Sequence, residues 1–111
     1  MPSFTEVSIA RAAAKRLRRK GPRKMARAFL ERPHYKLELV RDYKVSPATV
    51  HKRIQEWAEA GIVAECEAPD VLRPFVRSDA DWYAPTPFGR MVFEFALGER
   101  ARGAVAKVVT T

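Results

Sequence analysis

The stretch Leu37-Glu38-Leu39-Val40-Arg41-Asp42-Tyr43-Lys44-Val45-Ser46-Pro47-Ala48-Thr49-Val50-His51-Lys52-Arg53-Ile54 holds the local signals on which the fold turns. Its centre is Ser46-Pro47. A serine hydroxyl accepts from a backbone N–H of the first helical turn, and proline at the first helical position lacks only a donor that would be orphaned anyway. A helix therefore opens at Pro47. Val50, Ile54, Trp57 and Ala58 recur along one face of it, and Gly61 ends it. Upstream, the spacing predicts a shorter helix over residues 36–43, with Leu37, Val40 and Tyr43 turned inward. Lys44 and Val45 form the turn between the two.

Working outward, Met25 with Phe29 and Ala26 with Leu30 form i, i+4 pairs that predict a helix over residues 22–31, stopped by Pro33. Pro33-His34-Tyr35 reads as a short link. Nearer the start, Ser3 and Glu6 have the spacing of a capping box, and Gly21-Pro22 reads as a stop. Between them Val7, Ala10, Ala14 and Leu17 share one helical face, a mostly alanine stripe that buries little. Downstream of Gly61 the period changes. Residues 62–67 and 81–84 read as strands, and residues 71–77 as a further strand arm that Pro74 confines to an edge. Thr86-Pro87 repeats the cap-then-proline signal and opens the last helix.

Three of these motifs, in this order, resemble the winged helix-turn-helix regulators. The quoted stretch is similar to their helix-turn-helix. Trp57-Ala58-Glu59-Ala60-Gly61-Ile62-Val63 is similar to the exit of the recognition helix into the first wing strand. Tyr83-Ala84-Pro85-Thr86-Pro87-Phe88-Gly89-Arg90 is similar to the last wing strand entering the final helix. The resemblance covers residues 22–100. It implies a mainly α fold with a small β-hairpin, to which this chain adds a basic N-terminal helix or arm at residues 1–21 and the end of the C-terminal helix and tail at residues 101–111. Two departures stand out: Lys44 occupies a turn position often held by glycine, where a positive φ costs energy, and Val40 stands where a small residue is common.

At 100° per residue, Ala48, Lys52 and Gln55 lie opposite the Val50–Ile54–Trp57 face, with Thr49 and His51 at the flanks. A helix entering the major groove offers its N-terminal residues to base edges. Glutamine can pair with adenine, lysine with guanine or phosphate, and threonine or alanine can touch a thymine methyl. Ala48, Thr49, His51, Lys52 and Gln55 are therefore the candidate base readers, while Glu56 and Glu59 are expected clear of the duplex. The competing reading is a merely solvated helix face.

The chain has 111 residues, 47% hydrophobic, with 21 basic and 13 acidic residues and a net charge of +8. A chain of this length buries about two-thirds of its unfolded surface, which suits one domain. Residues 1–27 hold nine bases against Glu6 alone, so the whole excess belongs to one end. Arg11, Lys15, Arg18, Arg19, Lys20, Arg23 and Lys24, with Ser46 and Arg53, are candidate contacts to the DNA backbone, adding affinity through counterion release. Arg73 and Arg77 extend that set, because wing tips in the resembling family reach phosphates; solvated loop arginines are the competing reading. The basic end could instead bind RNA or serve as a solvated tail. A membrane role fits least, since its apolar face lacks aromatic anchors.

No apolar run approaches the eighteen or so residues of a transmembrane helix, and no signal peptide is visible. One cysteine, Cys66, read as a small buried hydrophobe, suggests a reducing, cytoplasmic, nucleoid-associated setting. There is no asparagine, one glutamine and eight prolines, a bias that points toward a thermophilic source. His34 and His51 form no catalytic or metal-binding constellation with other residues, and no phosphate-binding glycine loop occurs, so neither enzyme activity nor a cofactor nor a metal is expected. The last helix carries one apolar stripe at Phe88, Met91, Val92 and Phe95 and a second at Phe93, Leu97, Ala101, Ala104 and Val108. The second predicts a homodimer through Phe93, Leu97, Ala101 and Val108, reading two half-sites about one helical turn apart, unless both stripes are buried within the chain. Taken together, the sequence points to a sequence-specific, double-stranded DNA-binding transcriptional regulator. The alternatives are a winged-helix interaction module in a nucleic-acid-processing assembly and an RNA-binding protein.

Overall fold

A computed structural model describes residues 3–72 and 80–98. In chain order the elements are α1 (Phe4–Ala14), α2 (Lys20–Glu31), β1 (His34–Tyr35), α3 (Lys36–Arg41), α4 (Pro47–Glu59), β2 (Val63–Cys66), β3 (Trp82–Pro85) and α5 (Pro87–Leu97). The three strands form one antiparallel sheet in the order β1-β3-β2, with His34 opposite Tyr83 and Cys66 opposite Trp82. The chain is mainly α with a small antiparallel sheet, as the sequence implied. The expected wing arm at residues 71–77 falls largely outside the described residues, and Val71 and Leu72 lie in a turn.

Local chemistry sets the helix ends. Ser3, Ser46 and Thr86 each sit in extended backbone and accept, through the side chain, from the N–H three residues on: Glu6, Thr49 and Gly89. At the far end of α4, Gly61 takes a φ of 73°. Its N–H donates to the Ala58 carbonyl and that of Ile62 to the Trp57 carbonyl, closing the helix as a Schellman motif.

The core gathers one face of every helix. Ala10, Ala14 and Leu17 join Met25, Ala26 and Phe29 from α2, Val50, Ile54 and Trp57 from α4, and Met91, Val92, Phe93 and Leu97 from α5. Phe29 stacks on Phe93 at 6.2 Å between ring centres, and Trp57 meets the same ring edge-on at 4.9 Å. The N-terminal helix is therefore docked, packing along α5.

Five expectations change. Gly21-Pro22 does not stop a helix: α1 ends at Ala14, and both residues lie in the first turn of α2, where a missing proline N–H costs nothing. Pro33-His34-Tyr35 is not only a link, since His34 and Tyr35 pair with β3. Leu37 is 54% exposed, and α3 instead turns Glu38 and Leu39 inward. Ala58 is exposed beside the buried Trp57. Cys66 is exposed on β2 rather than buried.

Candidate nucleic-acid interface

The turn before α4 is built to hold that helix still. Lys44 takes a φ of 58°, the left-handed conformation expected at a position often held by glycine. This reverses the chain so that the Val45 N–H reaches the Leu39 carbonyl at 3.3 Å and the Val45 side chain enters the core. Ser46 then caps α4: its Oγ accepts from the Thr49 N–H at 3.2 Å and donates to Thr49 Oγ1 at 2.8 Å. Lys24 on α2 reaches the Tyr43 carbonyl at 3.5 Å, tying the turn to the neighbouring helix.

Beneath α3 lies a buried polar network. His34 is fully buried, with Nδ1 2.5 Å from Glu38 Oε1 and Nε2 2.8 Å from the Ala28 carbonyl. Arg32 donates to both oxygens of the same carboxylate, to Oε1 at 3.1 Å and to Oε2 at 2.9 Å. Burial works against ionisation of Glu38 more than any single contact favours it, but the hydrogen bonds from Arg32 and His34 and their charges together outweigh it. The carboxyl is held below its usual range. The network joins the end of α2, β1 and α3, and so fixes the helix against which α4 packs.

With α4 held this way, Val50, Ile54 and Trp57 are buried while Ala48, His51, Lys52 and Gln55 are exposed and Thr49 is half-buried. Four of the five candidate base readers thus share the outward side of one capped helix, with Thr49 at its half-buried flank toward α2. Two are engaged within the chain. Thr49 belongs to the Ser46 cap, and His51 Nδ1 lies 3.4 Å from Lys36 Nζ. Lys36, which the sequence did not single out, stands at the start of α3 and flanks this outward face of α4.

The basic residues divide. Arg19 lines a cleft of about 220 Å³ together with Gly21, Ala48, Thr49, Lys52 and Arg53, so it lies beside the start of α4. Arg53 also pairs with Glu56 at 2.8 Å. Arg11 instead sits 5.0 Å over the ring of Phe95 on α5, and Arg18 donates to the Lys15 carbonyl at 3.0 Å. Lys15, Lys20 and Arg23 are exposed. Ser46 is engaged as the cap of α4, and Lys24 gives one of its three donors to the turn. Arg73, Arg77, Ala101 and Val108 lie outside the described residues.

The dimer contacts expected on α5 need correction. Phe93 is fully buried and Leu97 nearly so, both within this chain's own core, where α1 and α2 pack against α5. The second apolar stripe is satisfied internally as far as it is described.

No protein-family profile and no curated protein sequence matches the chain. Among solved structures, it is similar to the crystal structure of the adhesin competence repressor AdcR from Streptococcus pyogenes. The TM-score is 0.55 at 12% identity, over 82% of this chain and 64% of that one. The chain thus spans a little under two-thirds of that repressor, and an identity this low speaks for fold alone. The element order, the capped fourth helix and this likeness agree: the chain folds as a winged helix-turn-helix.

Proposed function

We propose that the protein binds double-stranded DNA as a sequence-specific transcriptional regulator, with α4 in the major groove. The observation that carries this reading is the outward face of α4. Ala48, His51, Lys52 and Gln55 are exposed on a helix whose other side is locked into the core, with Arg19 and Lys36 beside it. Such a face presents donors and a small apolar side chain to base edges, while the flanking cations hold phosphate. Lys20 and Arg23, exposed at the start of α2, extend the same sequence-independent grip. The fold shared with a repressor supports this reading over catalysis.

The action is occupancy of a site that blocks or recruits the transcription machinery. A homodimer, the usual way to read a two-fold operator, draws on surfaces other than Phe93 and Leu97; among the described residues the large exposed apolar side chains include Phe4 and Ile9 on α1.

Selection of duplexes from a random library tests both statements. Enrichment of one motif supports sequence reading, and a palindromic motif supports the dimer. Gln55→Ala is expected to relax one position of that motif by about 1–3 kcal/mol of discrimination. Equal affinity for single strands or structured RNA would favour the RNA-binding reading. An absence of nucleic-acid binding would favour the interaction module.

A further inference from the structure

We infer that Arg19, Lys52 and Arg53 form a pocket for a single phosphate group of the DNA backbone, so that Lys52 grips phosphate instead of a base edge. The inference rests on the duplex-binding reading above and assigns to one side chain a different task within it. The cleft these residues line, with Gly21, Pro22, Ala48 and Thr49, has three cations and, among the described residues, no carboxylate in its wall. The acids of α4 face elsewhere: Glu56 and Glu59 line a separate cleft of about 560 Å³ with Arg16, Leu17 and Trp57. Arg53 borders both clefts. One of its nitrogens is bound to Glu56 at 2.8 Å, and a guanidinium has further donors to offer on the other side.

The walls of the cleft are set by close packing. A Cβ built on Gly21 would come 3.4 Å from Thr49 Cγ2 and 3.5 Å from Val45 Cγ1, so the first turn of α2 lies almost directly on the first turn of α4. Arg19 precedes that turn and Lys52 follows the other, and this packing brings them to one place. The same convergence aims the positive end of α2 at the cleft. Its N-cap is Arg19, whose side chain caps nothing, and no acid lies in its first turn. Glu56 offsets part of the Arg53 charge from outside the cleft, while Arg19 and Lys52 face the cleft with no carboxylate in its wall, so the cluster keeps an excess of positive charge that an anion relieves. A phosphodiester supplies that anion, with oxygens that can accept from guanidinium and ammonium together.

The geometry makes a sharp statement about salt dependence. Removing the grip on one phosphate lowers the log–log slope of affinity against salt by about 0.9. If Arg19 and Lys52 share one phosphate, Arg19→Ala and Lys52→Ala each lower the slope by about 1, and the double variant lowers it by about 1 as well. Two independent phosphates would give about 2 in the double variant, and a base-reading Lys52 would leave the slope unchanged while altering sequence preference; either result overturns the inference. Arg16→Ala, in the other cleft, is expected to keep the wild-type slope, and a decrease there equal to that of Arg19→Ala would also overturn it.

Inorganic phosphate, titrated against the full chain by NMR, separates the two readings. Shifts of the Lys20 and Gly21 amides that vanish in Arg19→Ala/Lys52→Ala support the pocket even if duplex binding fails, in which case only the DNA reading falls. Duplex binding with an unchanged slope in Arg19→Ala removes the pocket and leaves the DNA reading standing.

Discussion

Replacing Gly89 by alanine tests how the last helix is seated on the exit of α4. Gly89 lies in the first turn of α5, against the backbone of Ile62. A Cβ added there would fall 1.7 Å from the Ile62 carbonyl oxygen, 2.5 Å from its carbon and 2.9 Å from its Cα. Ordinary contact begins near 3.4 Å, so the two backbones must part by well over an ångström, and no side-chain rotation relieves the clash. Parting them stretches the hydrogen bond from the Thr86 N–H to the Ile62 carbonyl, 3.0 Å, and those that Thr86 Oγ1 makes to the Gly61 and Ile62 carbonyls. Each such bond contributes about 1 kcal/mol net. The packing of Ile62 and Val63 in the core opens as well, at a cost of the order of a small core cavity, about 1–2 kcal/mol. Gly89→Ala is therefore expected to lose about 3–5 kcal/mol. Urea denaturation followed by circular dichroism measures this, and at roughly 4 °C per kcal/mol the melting point drops by about 12–20 °C. An alanine variant within about 0.5 kcal/mol of wild type would refute the close approach of α5 to Ile62.

Further substitutions probe the support of α4. The depressed carboxyl of Glu38 contributes stability that is fully present above the unfolded carboxyl pKa of about 4.3 and is lost as pH falls through the lower folded value. Glu38→Gln is expected to cost about 1–3 kcal/mol at neutral pH and to flatten the loss of stability below about pH 4, measured as urea midpoints across pH. Lys44→Gly removes the strain of a side chain at positive φ and should gain up to about 1 kcal/mol after the extra chain entropy of glycine is subtracted; a lower melting point than wild type contradicts this. Phe93→Ala is expected to cost about 3–5 kcal/mol with a midpoint independent of protein concentration, because the ring fills the chain's own core. A midpoint that rises with concentration only in the wild type would return Phe93 to an interface.

The sequence was most legible where one or two residues act on their own backbone. Ser3, Ser46 and Thr86 were readable as caps because each needs nothing beyond its neighbours, whereas the positive φ of Lys44 was suggested only by the resemblance, through a turn position often held by glycine. It was least legible where the phase of an element is set from a distance. Helix α3 has only six residues, too few for its period to declare a face. Its rotation is fixed by β1 pairing with β3 and by Arg32 and His34 drawing Glu38 inward, and so Leu37 is left outside. A glutamate reads as a surface residue until two partners from other elements are known. Gly21-Pro22 misled for a different reason: proline is as well suited to the first turn of a helix as to the residue after one. Within the candidate interface, the outward residues of α4 followed from helical geometry, whereas Arg19 beside Lys52 and Lys36 beside His51 depend on how the helices pack.

The two-residue strand β1 ties the wing to the helix-turn-helix. Tyr35 pairs with Trp82 on β3, and α3 begins at the next residue with no intervening linker. A pull on the wing sheet therefore arrives at the first turn of α3 as a rotation of that helix, where slack would otherwise absorb it. On the proposed mode of DNA binding, the wing and α4 would then dock as one lever, so a groove whose width disfavours the wing would also tilt α4 away from the bases. Discrimination by the shape of the duplex and discrimination by base edges would rise and fall together.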